Sequence, residues 1–142
     1  MAFMSPLVLE AAPKQDFWIV RAPLTWLDPK YNLLQVPVGF MTDLASIPRA
    51  LRNLPAFDPN GQSRRPAVVH DWLYTTHSRG KDIADSFLRD ALIAEGASEL
   101  DADAFYEAVH LYGDGPYDTG GAPAIAASFV DKETYLAWVA TQ

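Results

Sequence analysis

The sequence predicts an α+β fold: a small antiparallel sheet near the N-terminus, followed by a bundle of three to four helices. Residues 15–40 are rich in aromatic and β-branched types and contain a stretch of strict alternation, which is the mark of half-buried strands. Residues 63–112 instead carry apolar stripes at helical spacing, punctuated by Pro, Ser and Gly at positions that start and stop helices. Strands in one part of the chain and helices in the other define the α+β class. At 142 residues the chain reads as a single domain, long enough to bury roughly two-thirds of its unfolded surface.

Taken in order, "QDFWIVRAPLTWL" (15–27) and "NLLQVPVGF" (32–40) read as two strands paired around the turn "DPKYN", with Leu34, Val36, Val38 and Phe40 on one face. Pro37 lacks an amide donor, so the second strand lies at an edge or carries a bulge there. In "TDLASIPRALRNL", Thr42 or Asp43 can cap a short helical turn, and Pro48 pushes Ile47 away from helix. A first helix runs from near Ser63 to about His77, with Pro66 in its first turn, and a second from Lys81 to Glu95, closed by Gly96. Ser98 and Asp101 form a capping box for a third helix, which Gly113 ends. Residues 113–123 are rich in glycine and proline and read as loop. The tail, residues 124–142, is amphipathic and can lay Tyr135, Trp138 and Val139 on the body or on a partner.

Composition removes several function classes. Eighteen acidic against eleven basic residues give a formal charge of −7, a surface that repels phosphate backbones, so nucleic acid is not expected as a partner. Arg49, Arg52, Arg64 and Arg65 form the one basic cluster, read as solvated surface. Absence of cysteine rules out disulfides and thiol chemistry. The N-terminal "MAFMSPLVLEAAPKQDF" has no basic leader and its apolar run is cut by Pro6 and Glu10, so no signal peptide is expected. No transmembrane segment is expected either, and the protein reads as soluble and cytoplasmic when made. There is no Gly-rich phosphate loop, Gly-x-Ser-x-Gly elbow or His-Glu-x-x-His pair.

The chemistry concentrates in "AVVHDWLYTTHSRGKDIAD" (67–85). On a helix His70 and Tyr74 share a face, whereas Asp71 is turned about 100° from His70. Asp85 shares a stripe with Leu88 and Leu92 on the second helix, so it points into apolar packing and needs a partner. His70 is the obvious one. A histidine held by a buried carboxylate has a fixed tautomer, with one ring nitrogen free to act as a base. Asp71 can hold a metal ion beside that nitrogen, with Asp43 as a second oxygen ligand. Such ligands favour calcium or magnesium, and zinc becomes plausible if His70 itself ligates. The alternative is that His70 and Asp85 form a satisfied polar pair joining two helices. His77, two turns beyond His70, is a weaker candidate ligand at a solvated helix end. His110 shares a face with Asp103 and Glu107, where a surface ion pair is the default reading.

"VPVGFMTDLASIP", "AVVHDWLYTT" and "ADSFLRDAL", in this order over residues 33–112, resemble the phage and bacterial family catalogued as domain of unknown function 1353 (DUF1353). More loosely, "HDWLY" followed by "AD..F" is similar to the His-Asp-x-x-Tyr helix and distant Asp of the secretory phospholipases and their parvovirus relatives. That second resemblance implies His70 as general base, Asp71 as calcium ligand, and Asp85 and Tyr74 as supports of the histidine. The approach to the helix, "FDPNGQSRRP", departs from the phospholipases' glycine-rich calcium loop, and "VGFMTDLAS" is the better source of one here.

Two functions follow from these readings. One is a metal-assisted hydrolase of a small-molecule, lipid or ester substrate, with calcium first and zinc second as cofactor. The other is a phage virion component or accessory protein, partnered by other phage proteins, in which the His-Asp pairs are structural. In that case the Trp-rich N-terminus (Trp18, Trp26) and the C-terminal tail dock neighbours or a second copy.

Overall fold

The computed structural model describes residues 2–14, 16–43 and 63–142. Arg49 and Arg52, and all of the expected helical turn beyond Asp43, lie outside the described residues.

Among the described residues, six short strands form two antiparallel three-stranded sheets: β1 (Ala2–Phe3), β4 (Leu24–Asp28) and β5 (Asn32–Val36) in one, and β2 (Leu9–Ala11), β3 (Trp18–Val20) and β6 (Met41–Thr42) in the other. The hairpin around "DPKYN" is β4–β5. Asp28 Oδ1 accepts from the Tyr31 amide at 2.6 Å, and Asn32 takes the left-handed conformation that the tight turn requires. Its register, Leu24 opposite Val36 and Trp26 opposite Leu34, puts these four residues on the buried face. β5 is an edge strand that stops before Pro37, as an imide without a donor demands.

The expected single strand over 15–27 is instead two strands in different sheets. Pro23 cannot continue a ladder, and at Arg21 the chain leaves one sheet to enter the other, with the Arg21 amide donating to Val8.

Six helices follow among the described residues: α1 (Arg64–Thr76), α2 (Lys81–Ala94), α3 (Glu99–Tyr112), α4 (Asp114–Asp118), α5 (Ala122–Ala127) and α6 (Lys132–Val139). Caps explain the breaks. His77 adopts the left-handed conformation after α1, and Ser98 accepts from the Asp101 amide at the start of α3. The segment 113–123, expected to be loop, contains α4 and the start of α5. Pro116 and Pro123 sit in first turns, where a missing amide costs nothing, so a proline count overstated the disorder of this segment.

Ala67 near the start of α1 clusters with Leu88 and Leu92 of α2 and with Phe105 and Val109 of α3, so α1 and α2 run antiparallel. The other face of α1 lies on the strands: Trp72 meets Phe40 edge-on at 5.0 Å, and Trp26 does the same with Phe87 of α2. Trp26 is 2% exposed and belongs to the core, not to a docking surface. Trp138 of α6 sits edge-on to Trp72 at 5.3 Å, which fastens the tail to the body. Gly39 brings the chain after β5 against α6. Its φ of +97° is open to glycine, and a Cβ there would collide with Thr134.

Candidate functional site

α1 supplies His70, Asp71 and Tyr74, and α2 supplies Asp85. Antiparallel packing brings the two helices together so that His70 Nε2 lies 2.9 Å from Asp85 Oδ1 and the Tyr74 hydroxyl donates to the same oxygen at 2.6 Å. The imidazole is 3% exposed and Asp85 is wholly buried. Lys81, on the first turn of α2, donates from Nζ to Asp85 Oδ2 at 2.8 Å. Lys81 is not among the site residues expected from the sequence. The signal was there, since Lys81 lies four residues before Asp85 on one helix stripe.

Three donors on one buried carboxylate decide its charge. Burial pushes Asp85 upward, but the hydrogen bonds from His70, Lys81 and Tyr74 outweigh it and hold the carboxyl below its usual range. Burial pulls His70 below the ordinary histidine value, against the opposing pull of Asp85, with the Lys81 charge acting in the same direction as burial. Burial and the Asp85 contact both raise Tyr74, which stays a protonated donor. Since an ionised carboxylate only accepts, the neutral imidazole carries its proton on Nε2 and keeps Nδ1 as the basic nitrogen.

Asp71, on the next residue of α1, lines a different space. A cavity of about 410 Å³ is bounded by Asp43, Asp71, Tyr74, Lys14 and Phe17, with Thr119 and Gly120 closing one side. Burial raises Asp71 to about 7, the negative charge of Asp43 adds to the rise, and a hydrogen bond with the Thr42 side chain opposes it. The two expected metal ligands therefore face one cavity. The His70 ring is not among its lining side chains; Tyr74, whose ring lies 4.1 Å from that of His70, is. Among the described residues no group of three His, Asp or Glu side chains is placed to hold a metal ion. The donor set available, two carboxylates facing a cavity, suits a hard cation such as calcium that completes its shell with carbonyls and water. Zinc through His70 would have to use Nδ1, since Nε2 is bonded to Asp85.

The remaining candidates have structural roles. His77 is not a solvated helix end: it stacks on Tyr117 and bonds its carbonyl at 2.7 Å, which ties α4 to α1. Asp103 pairs with Arg89, while His110 stacks on Tyr106, one turn back on α3. Arg65 is likewise no loose surface cation, because it forks onto both oxygens of Glu95.

Fold and site together define an α+β protein with a buried His-Asp-Tyr-Lys network beside a two-carboxylate cavity. The family described as "Protein of unknown function (DUF1353)" matches residues 18–109, and the chain belongs to it. Comparison with curated proteins and with solved structures found no match.

Proposed function

We propose that the chain is a small calcium-assisted hydrolase of an ester or related carbonyl substrate, with His70 as general base. The observation that carries this reading is the pairing of His70 Nε2 with Asp85 Oδ1, one residue along the helix from a carboxylate that faces a cavity with Asp43. Asp85 contacts His70 directly and Tyr74 donates to the same Asp85 oxygen, which supports their assignment as residues that hold the histidine. In this reading His70 Nδ1 takes the proton of the attacking water and returns it to the leaving alcohol, while Asp85 steadies the imidazolium formed in between. Asp43 and Asp71 would hold the cation, and the chemistry it would supply is positive charge beside the developing oxyanion.

A second reading, a non-catalytic phage virion or accessory protein, is favoured by one observation. The His70 side chain is 3% exposed and Lys81 already balances the charge of Asp85, as in an internal strut between helices. The deciding experiment assays wild type and Asp71→Asn on a panel of phospholipids and short esters, with and without calcium. The hydrolase reading expects calcium-dependent turnover that Asp71→Asn abolishes without unfolding the protein. Wild type inert across the whole panel sinks the hydrolase reading and leaves the structural role.

A further inference from the structure

The Lys81 ammonium has three protons and three acceptors. Besides Asp85 Oδ2 at 2.8 Å, it donates to the carbonyls of Val109 at 3.0 Å and His110 at 3.2 Å, in the last turn of α3. Asp114 Oδ1 is 3.8 Å away, and the lysine side chain is 15% exposed. The carbonyl contacts cap the negative end of α3. The Asp85 contact does something else. Oδ1 alone serves His70 and Tyr74, and Oδ2 is given to Lys81, so the plane of the carboxylate is set by a cation on the edge away from the imidazole.

We propose that Lys81 is a positioning residue for His70: by occupying Oδ2 of Asp85 it orients the carboxylate and divides its charge, so that Oδ1 fixes the imidazole through an ordinary hydrogen bond. Lysine makes this division with a point charge, which leaves two of its donors to lock the same carboxylate to the end of α3. The site and the α2–α3 contact thus depend on one side chain. This role extends the His70 reading above, yet its geometric half holds whether or not the chain hydrolyses anything.

The test reads the imidazole directly. In protein labelled with ¹⁵N-histidine, mildly alkaline solution keeps the ring neutral, and the Nε2 proton of His70 reports its bond to Asp85. In Lys81→Met this resonance moves downfield, because Oδ1 now carries charge that the ammonium had drawn to Oδ2. Lys81→Arg, which keeps the cation, returns it toward the wild-type position. A helix cap alone would lower stability in Lys81→Met and leave the resonance where it was, and that result in folded protein overturns the proposal. Should Lys81→Met not fold, Lys81→Gln keeps a donor for the α3 carbonyls without the charge, and the same shift or its absence decides. On a substrate that wild type turns over, Lys81→Met lowers kcat about tenfold or more with little change in KM, the usual loss when the group orienting a functional histidine is removed. An inert wild type with a shifted resonance rejects the hydrolase and keeps the positioning role; an active wild type with an unshifted resonance does the reverse.

Discussion

Asp85 is the residue on which the interior network turns, because it accepts from His70, Tyr74 and Lys81 at once. Asp85→Asn removes the anion and leaves a lysine only 15% exposed with no acidic partner among the described residues nearer than the exposed Asp114 at 3.8 Å. Breaking one side of a buried pair costs about 3–5 kcal/mol, which a urea titration of the variant will show. The pH dependence has a definite sign. His70 lies below its ordinary 6.5 in the folded protein, so its contribution is complete above pH 6.5 and is lost as pH falls through that value toward the folded one. Asp85 lies below 3.8, so its contribution is complete above 3.8 and is lost as pH falls from there through its folded value. Asp71 runs the other way. Raised from 3.8 to about 7, it favours the fold most below 3.8, and that contribution is lost as pH rises through 7. Melting curves between pH 4 and 8 should therefore rise more steeply with pH in Asp71→Asn than in wild type; equal slopes would contradict the environment described for Asp71.

At the scale of elements, the glycine-rich stretch between α3 and α5 is shaped by close approach to α1. A Cβ on Gly113 would lie 2.5 Å from the Tyr74 hydroxyl and closer still to the Val109 carbonyl; one on Gly120 would lie 2.7 Å from His77 Nε2 and press on the Tyr74 carbonyl. Gly113 has an ordinary φ of −87°, so space and not backbone conformation demands glycine there. Gly113→Ala must move Tyr74 off Asp85 or lift α4, at a cost of about 1–3 kcal/mol in a denaturant titration. Gly115, which has nothing within reach of an added Cβ, is the control: Gly115→Ala should leave stability nearly unchanged. His77, stacked on Tyr117, keeps α4 in register over the same helix.

For the whole molecule, the cavity joins parts distant in sequence: Lys14 and Phe17 near β3, Asp43 after β6, Asp71 and Tyr74 on α1, and Thr119 to Ser128 around α5. A cation bound between Asp43 and Asp71, as proposed, would hold these parts together. Millimolar calcium should raise the melting temperature, since a ligand held only by the folded state at about 100 times its Kd adds about 2.7 kcal/mol. Asp43→Asn and Asp71→Asn should each lose that shift, and Asp71→Asn should melt higher than wild type at neutral pH without calcium because it ends the burial of a charge and its repulsion with Asp43. No shift in wild type would remove the cation from the proposed function. No helix among the described residues is long and apolar enough to cross a membrane.

The sequence by itself determined the class of fold, the limits of the three long helices, the β4–β5 hairpin, the family, and the meeting of His70 with Asp85. These are local or nearly local: helical period, caps and turn residues act over a few positions, and a carboxylate on an apolar stripe announces that it needs a partner. Only the tertiary structure decided the rest. It split residues 15–27 between two sheets, built α4 and the start of α5 into the 113–123 segment, placed Trp26 in the core and left the His70 ring outside the lining of the cavity that Asp71 and Asp43 share. It also gave Lys81 its two duties, one of them at carbonyls twenty-eight and twenty-nine residues away. Such contacts depend on how helices cross and which strands pair, and residue spacing along the chain carries no record of either.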